Sequence, residues 1–277
     1  MSAETDTARW ERRPEVPPPA PGSTSRGRHR RAGDIGRTVV RGIGQTLVTL
    51  GLVVLLFVVY EVWVTDLLTA QRQGELSDEL QGGWDDPTVG DPGGTPAPID
   101  VALGEPFAVL HIPRLGEDWS RVVVEGTGGE QLAQGPGHYV GTAMPGEQGN
   151  VALAGHRVGR GSPFLDLDRM RPGDPIVVET ADWWFVYRVL GDVATGDLDA
   201  DPSGIPGMQI VRPSEVDVIA PTPDGAADAA ATGAYLTLTT CHPKYSARQR
   251  LIVHAVLEGG PVSRAQSPDG PDALREG

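Results

Sequence analysis

The chain has 277 residues, a formal net charge of −14 and a single cysteine, Cys241. One cysteine excludes an intramolecular disulfide framework and any CxxC zinc or redox motif, and the acidity argues against a nucleic-acid partner. The charge is uneven: residues 1–41 hold nine Arg against five acidic residues, +4, so residues 42–277 carry −18. With 37 Gly and 25 Pro among short apolar runs, the composition points to strands and turns rather than a helical bundle. In chain order, residues 1–42 are predicted to be a disordered, basic, cytoplasmic tail: Pro, Arg, Ser and Gly dominate, and no apolar period develops.

Residues 43–64 are predicted to be a transmembrane helix. The densest stretch, Leu47 to Tyr60, is apolar apart from Thr49 and Gly51, and about 20 helical residues span a hydrocarbon core of about 30 Å. Tyr60 and Trp63 suit the aromatic belt, and Glu61 falls where headgroups begin. Six Arg between Arg26 and Arg41 face one Asp34, which keeps the N-terminus inside and the bulk of the chain outside. The competing reading, a cleaved signal peptide, fits less well, because the segment is longer than a usual h-region and no A-x-A site follows. Residues 65–104 read as an extracellular stalk: a helical continuation to Leu80, then a Gly/Pro/Asp linker from Gly82 to Pro98.

Residues 105–258 read as the folded domain, and roughly 170–190 residues beyond the membrane segment suffice for one core. Strands are expected at Phe107–Ile112, stopped by Pro113, and at Arg121–Glu125, His138–Val140 and Asn150–Ala154. Pro163–Met170 reads as a short helix ended by the turn Arg171-Pro172-Gly173-Asp174. Pro175–Thr180 and Trp183–Leu190 form a hairpin around Ala181-Asp182, and Gly191–Gln209 is a loop insertion. Tyr235–Thr240 and Arg250–Leu257 close the domain. The resulting fold class is mainly all-β, about eight strands in a closed or nearly closed barrel with short helices, preceded by one membrane helix. Residues 259–277 are expected to be a disordered C-terminal tail.

The chemistry gathers at the last two strands. Cys241 ends the run Tyr235-Leu236-Thr237-Leu238-Thr239-Thr240, and Arg250 opens the run that follows the next loop. His156 follows the strand Asn150–Ala154. A lone Cys with a His supplied from elsewhere is the layout of a nucleophilic thiol enzyme, and a nearby cation raises the thiolate fraction of a group whose free pKa is about 8.5. Spacing alone does not bring His156 to the thiol.

Thr237-Leu238-Thr239-Thr240-Cys241 with Arg250-Leu251-Ile252-Val253 resembles the TLxTC…R signature of sortases, the membrane-anchored cysteine transpeptidases of Gram-positive bacteria. Gly149–Arg157 resembles the segment ending in the sortase histidine, Ile112-Pro113 the family's early strand, and His242-Pro243-Lys244-Tyr245-Ser246 is similar to class E sortases of actinobacteria. The resemblance implies an eight-stranded sortase barrel. It also implies Cys241 as nucleophile, His156 as general acid and base, and Arg250 as the substrate or oxyanion clamp. Thr240 and Tyr245 are candidates for shaping the substrate groove. The implied substrate is a secreted protein bearing an LPxTG-like signal, LAxTG for class E, cleaved after Thr and joined to an amine of a peptidoglycan precursor or cross-bridge. The chemistry implies no metal and no cofactor, and the membrane is a partner through the N-terminal helix.

Duller readings stand beside this one. A lone strand Cys is usually a small buried hydrophobe, and Arg248 is a decoy for Arg250. His242 points to the face opposite Cys241, His254 reads as a strand-surface residue, and His111 and His138 as structural or rim residues. Alternative functions are a pilin-polymerising enzyme of the same family, a thiol hydrolase, and a non-catalytic, membrane-tethered barrel that binds wall components.

Overall fold

The computed structural model describes residues 32–60, 65–84 and 96–277. The basic tail to Arg31, the belt residue Trp63 with Glu61, and most of the Gly/Pro linker lie outside the described residues. Internal contacts divide the chain at Val53, so the N-terminal helix and the remainder are described separately.

Helix α1 spans Ala32–Val59. Its apolar part, Gly36–Val59, is 24 residues long and not buried by the rest of the protein, which makes it long and apolar enough to cross a membrane. The helix starts well before the expected residue 43, because the backbone ladder needs helical φ/ψ and not apolarity. Polar residues such as Arg37, Thr38 and Arg41 extend it at little cost in propensity.

Among its described residues the remainder has ten strands: β1 Pro106–His111, β2 Ser120–Glu125, β3 Gly137–His138, β4 Gly149–Ala154, β5 Pro175–Glu179, β6 Trp183–Val189, β7 Met208–Val211, β8 Ala234–His242, β9 Gln249–Leu257 and β10 Val262–Ser263. Hydrogen bonding runs β6-β5-β1-β2-β3-β4-β8-β9, and β9 then pairs with β6. The seam Tyr187↔Leu257, Arg188↔Val256 and Val189↔Ala255 thus closes an eight-stranded barrel. β7 and β10 lie outside the ring, on β9 and β6. The expected β5–β6 hairpin is present, with Ala181-Asp182 in its turn. Of the expected insertion, Met208 and Gln209 belong to β7.

Alternation along each strand sends one row of side chains inward. Leu110, Val123, Leu153, Ile176, Phe185, Leu236, Leu238, Leu251 and Val253 meet there in one core. β4 is buried at all six positions, since its inner row faces the core while Asn150 on the outer row is covered by the 3-10 turn Asp217–Ile219. It pairs with β8 in parallel, and a parallel strand covered on both faces reads as an almost unbroken apolar run, here Val-Ala-Leu-Ala.

The segment 65–104 is not only a stalk. It begins with α2, Thr65–Trp84, which packs Leu76 and Leu80 onto Val109, Val122 and Val124 on the outer face of β1 and β2. Gln73 acts as a side-chain splint: its amide nitrogen donates to the carbonyls of Gln134 and Val122, and its oxygen accepts from Val122 N–H. The expected disordered tail, 259–277, is corrected as well. β10 adds to β6, Ser267 O accepts from the Trp184 indole at 3.1 Å, and Ala273 is buried among Val177, Trp184 and Val186. A few apolar residues suffice to tie down a polar terminus when they cover an exposed aromatic.

Candidate active site

In the antiparallel pair of β8 and β9, Cys241 stands directly opposite Arg250. Opposed residues share a face of the sheet, so thiol and guanidinium project to the same side. That side is the barrel's exterior, because the neighbours Leu238 and Leu251 occupy the interior row. Cys241 is half-buried, the one free cysteine.

His156 arrives by the parallel pairing of β4 with β8. The register runs from Gly149↔Ala234 to Ala154↔Thr239, and Gly155 N–H donates to Thr239 O at 3.0 Å. Thr240 Oγ1 donates to Gly155 O at 2.8 Å. His156 therefore lies two residues beyond the end of β4, near the end of β8 that carries Cys241. Gly155 is needed here: a Cβ would come 2.5 Å from Phe164 Cδ2. Phe164 N–H in turn donates to the His156 carbonyl at 3.2 Å. Burial first, and the Arg160 charge second, push the His156 pKa below its ordinary value.

The loop after His156 is locked by a cluster that spacing did not reveal. Arg157 is 3 % exposed, pairs with Asp168 at 3.0 Å, donates Nε–H to Leu165 O at 3.3 Å and reaches His242 Nδ1 at 3.2 Å. Lys244 Nζ pairs with Asp166 at 2.9 Å. Arg157 and His242 each directly follow a site residue, and they meet one another. Nothing in the sequence marks an Arg as buried, since its partners come from a separate loop and strand end.

Thr240 is buried, and its hydroxyl is committed to Gly155. It shares the inward row with Leu236 and Leu238, so it holds the strand ends together and does not face the thiol's side. Tyr245 sits in the β8–β9 turn with φ +67° and 88 % exposure, its ring in solvent. The Arg250 Nη1 donates to the carbonyls of Ala247 and Gln249, each at 3.0 Å. Its remaining N–H groups have no protein partner among the described residues. The strand-surface reading of His254 is corrected: it is fully buried, under β7 and the Asp217–Ile219 turn. His111 and His138 are structural, bonded to Glu179 at 3.0 Å and Glu125 at 2.7 Å.

Fold and side chains together define a class: a closed all-β barrel with its one thiol on the outer face of a strand end, a cation opposite it and an imidazole just past the end of the neighbouring strand, a layout suited to thiol acyl transfer. Comparison with known proteins narrows this. The family model described as "Sortase domain" matches residues 110–258. Sortase SrtE1 of Streptomyces coelicolor is 36 % identical over 94 % of this chain and 69 % of its own. Among solved structures, the SrtF sortase from Corynebacterium diphtheriae superposes with a TM-score of 0.60 at 37 % identity, covering 68 % of this chain and all of that one. Sortase E1 from Streptomyces coelicolor, solved with a tripeptide in its active site, gives a TM-score of 0.50 at 34 % identity over 63 % of this chain and 99 % of its own. The chain belongs to the sortase family, with its similarity to class E members, and is a cysteine transpeptidase.

Proposed function

We propose that Cys241 attacks the threonine carbonyl of an LPxTG-like sorting signal, LAxTG in particular, and forms a thioester. His156 protonates the leaving amine and then deprotonates an incoming amine of the cell-wall peptide, which displaces Cys241. Arg250 holds the substrate carbonyl or the developing oxyanion with the N–H groups its own turn leaves unused, electrostatic help worth a few kcal/mol in a preorganised site. The observation that supports the reading is the register: Cys241 and Arg250 are cross-strand partners, and β4, which pairs with β8 up to Ala154↔Thr239, ends two residues before His156. The tripeptide in the active site of the Streptomyces coelicolor relative supports a peptide substrate. Helix α1 anchors the protein in the cell membrane, N-terminus cytoplasmic and barrel outside, which places the thiol beside secreted proteins and nascent wall.

The test is intact-mass analysis of the full chain in detergent after incubation with LAxTG or LPxTG peptides. The expected result is an acyl adduct on Cys241 that an added amine converts to ligated peptide. Cys241→Ala gives no adduct, and Arg250→Gln slows its formation about 10²–10³-fold while the barrel stays folded. A folded wild-type protein that forms no adduct, or an Arg250→Gln variant at full rate, overturns the mechanism.

A further inference from the structure

Next to His156 lies a cavity of about 430 Å³, walled by Leu68 of α2, Ala133, and His156, Val158 and Arg160 of the loop after β4. None of its lining comes from β8 or β9. Apart from the imidazole, the only ionisable side chain among its described lining residues is the Arg160 guanidinium. Arg160 is exposed, and among the described residues it has no hydrogen bond or ion pair. Its backbone is held in an unusual way: Gly159, Arg160, Gly161 and Ser162 have φ of +73°, +52°, +73° and +40°. Non-glycine residues in this region are strained, and such strain concentrates at functional sites. The turn is also pressed against α2, since a Cβ on Gly161 would come 2.8 Å from Thr69 Cγ2. The field of Arg160 reaches the imidazole, whose protonated form it disfavours after burial does.

The incoming amine must meet the same imidazole that served the leaving amine, so it enters on the His156 side, where this cavity opens. An alkylammonium alone would be repelled by an unpaired guanidinium, whereas one carrying its own anion would be drawn in. We propose that the cavity is the acceptor subsite and that it takes amines bearing a carboxylate a few bonds from the nitrogen, with Arg160 pairing with that carboxylate. The ammonium first loses a proton to solvent; His156 then removes one proton from the attacking amine, the N–C bond forms as the C–S bond of the thioester breaks, and that proton passes to the departing thiolate. This inference rests on the roles given to Cys241 and His156 above.

To test it, the full chain in detergent is charged with an LAxTG peptide and offered diglycine or diglycinamide, two amines of similar basicity that differ in the carboxylate. The ratio of ligated to hydrolysed product is read by mass spectrometry. Both products come from one acyl-enzyme, so the ratio does not depend on how fast the thioester forms. The wild type is expected to favour diglycine about threefold, as suits a solvent-exposed ion pair. The preference disappears in Arg160→Gln, persists in Arg160→Lys and reverses in Arg160→Glu. Equal partition in the wild type, or a preference that survives Arg160→Gln, overturns the subsite. Absence of any adduct on Cys241 before acceptor is added removes the underlying mechanism as well, and so separates the two failures.

Discussion

His254 is a buried histidine whose hydrogen bonds fix both its tautomer and its charge. The Thr237 hydroxyl donates to Asn150 Oδ1 at 2.8 Å, which leaves its lone pair to accept from His254 Nδ1–H at 2.9 Å. His254 Nε2 then accepts from the Gln209 amide at 3.1 Å, and that amide also reaches Asp224. No carboxylate touches the ring, and burial pushes its pKa down to about 3. The unfolded chain, with an ordinary value near 6.5, binds a proton there well before the folded one does. Stability is therefore intact above about pH 6.5 and is lost as pH falls from there toward 3, by up to about 1.4 kcal/mol per pH unit from this residue. Urea unfolding between pH 7 and 5 should show this slope, and His254→Gln should flatten it. A slope unchanged in that variant would mean that other groups govern acid stability.

Among the elements, α2 most changes the picture drawn from composition. As an isolated helix its polar surface gives it little reason to persist; it is ordered by two leucines and one glutamine that meet the outer face of β1 and β2. Leu76 is 1 % exposed, so Leu76→Ala is expected to cost about 2–5 kcal/mol if the helix stays docked. If undocking costs less than the cavity, the loss is smaller and the α2 amides lose hydrogen-exchange protection while those of β8 and β9 keep it. Wild-type α2 amides that already exchange at random-coil rates would show that the packing does not persist in solution. Because α2 also supplies a wall of the cavity beside His156, this element couples the segment after the membrane helix to the site.

At the scale of the whole molecule, charge and apolarity are segregated along the chain. The topology proposed from the Arg-rich start, the apolar α1 and the strongly acidic remainder can be checked with a membrane-impermeant maleimide. Intact cells expressing the protein should be labelled at Cys241, the sole thiol, and Cys241→Ser should abolish labelling. Labelling only after lysis would place the barrel on the cytoplasmic side and sink the proposed access to secreted substrates and wall amines. The acidic surface favours solubility of the barrel without specifying a partner.

Most strand positions, their membership of a barrel, and the short loop between Cys241 and Arg250 were legible in the sequence, because alternation and turn residues are local signals that need no partner. The sequence could not place His156 near the end of β8 except by resemblance, since that placement depends on the parallel β4–β8 register between segments about 85 residues apart. Nor could it show Arg157 buried, Thr240 turned inward, His254 sealed under β7, or the last residues tied to Trp184. In each case the decisive partner comes from a distant stretch of chain, and a polar residue's burial is decided by whether that partner arrives to satisfy it. Tertiary structure alone settled those placements, and with them the cavity that Arg160 shares with His156.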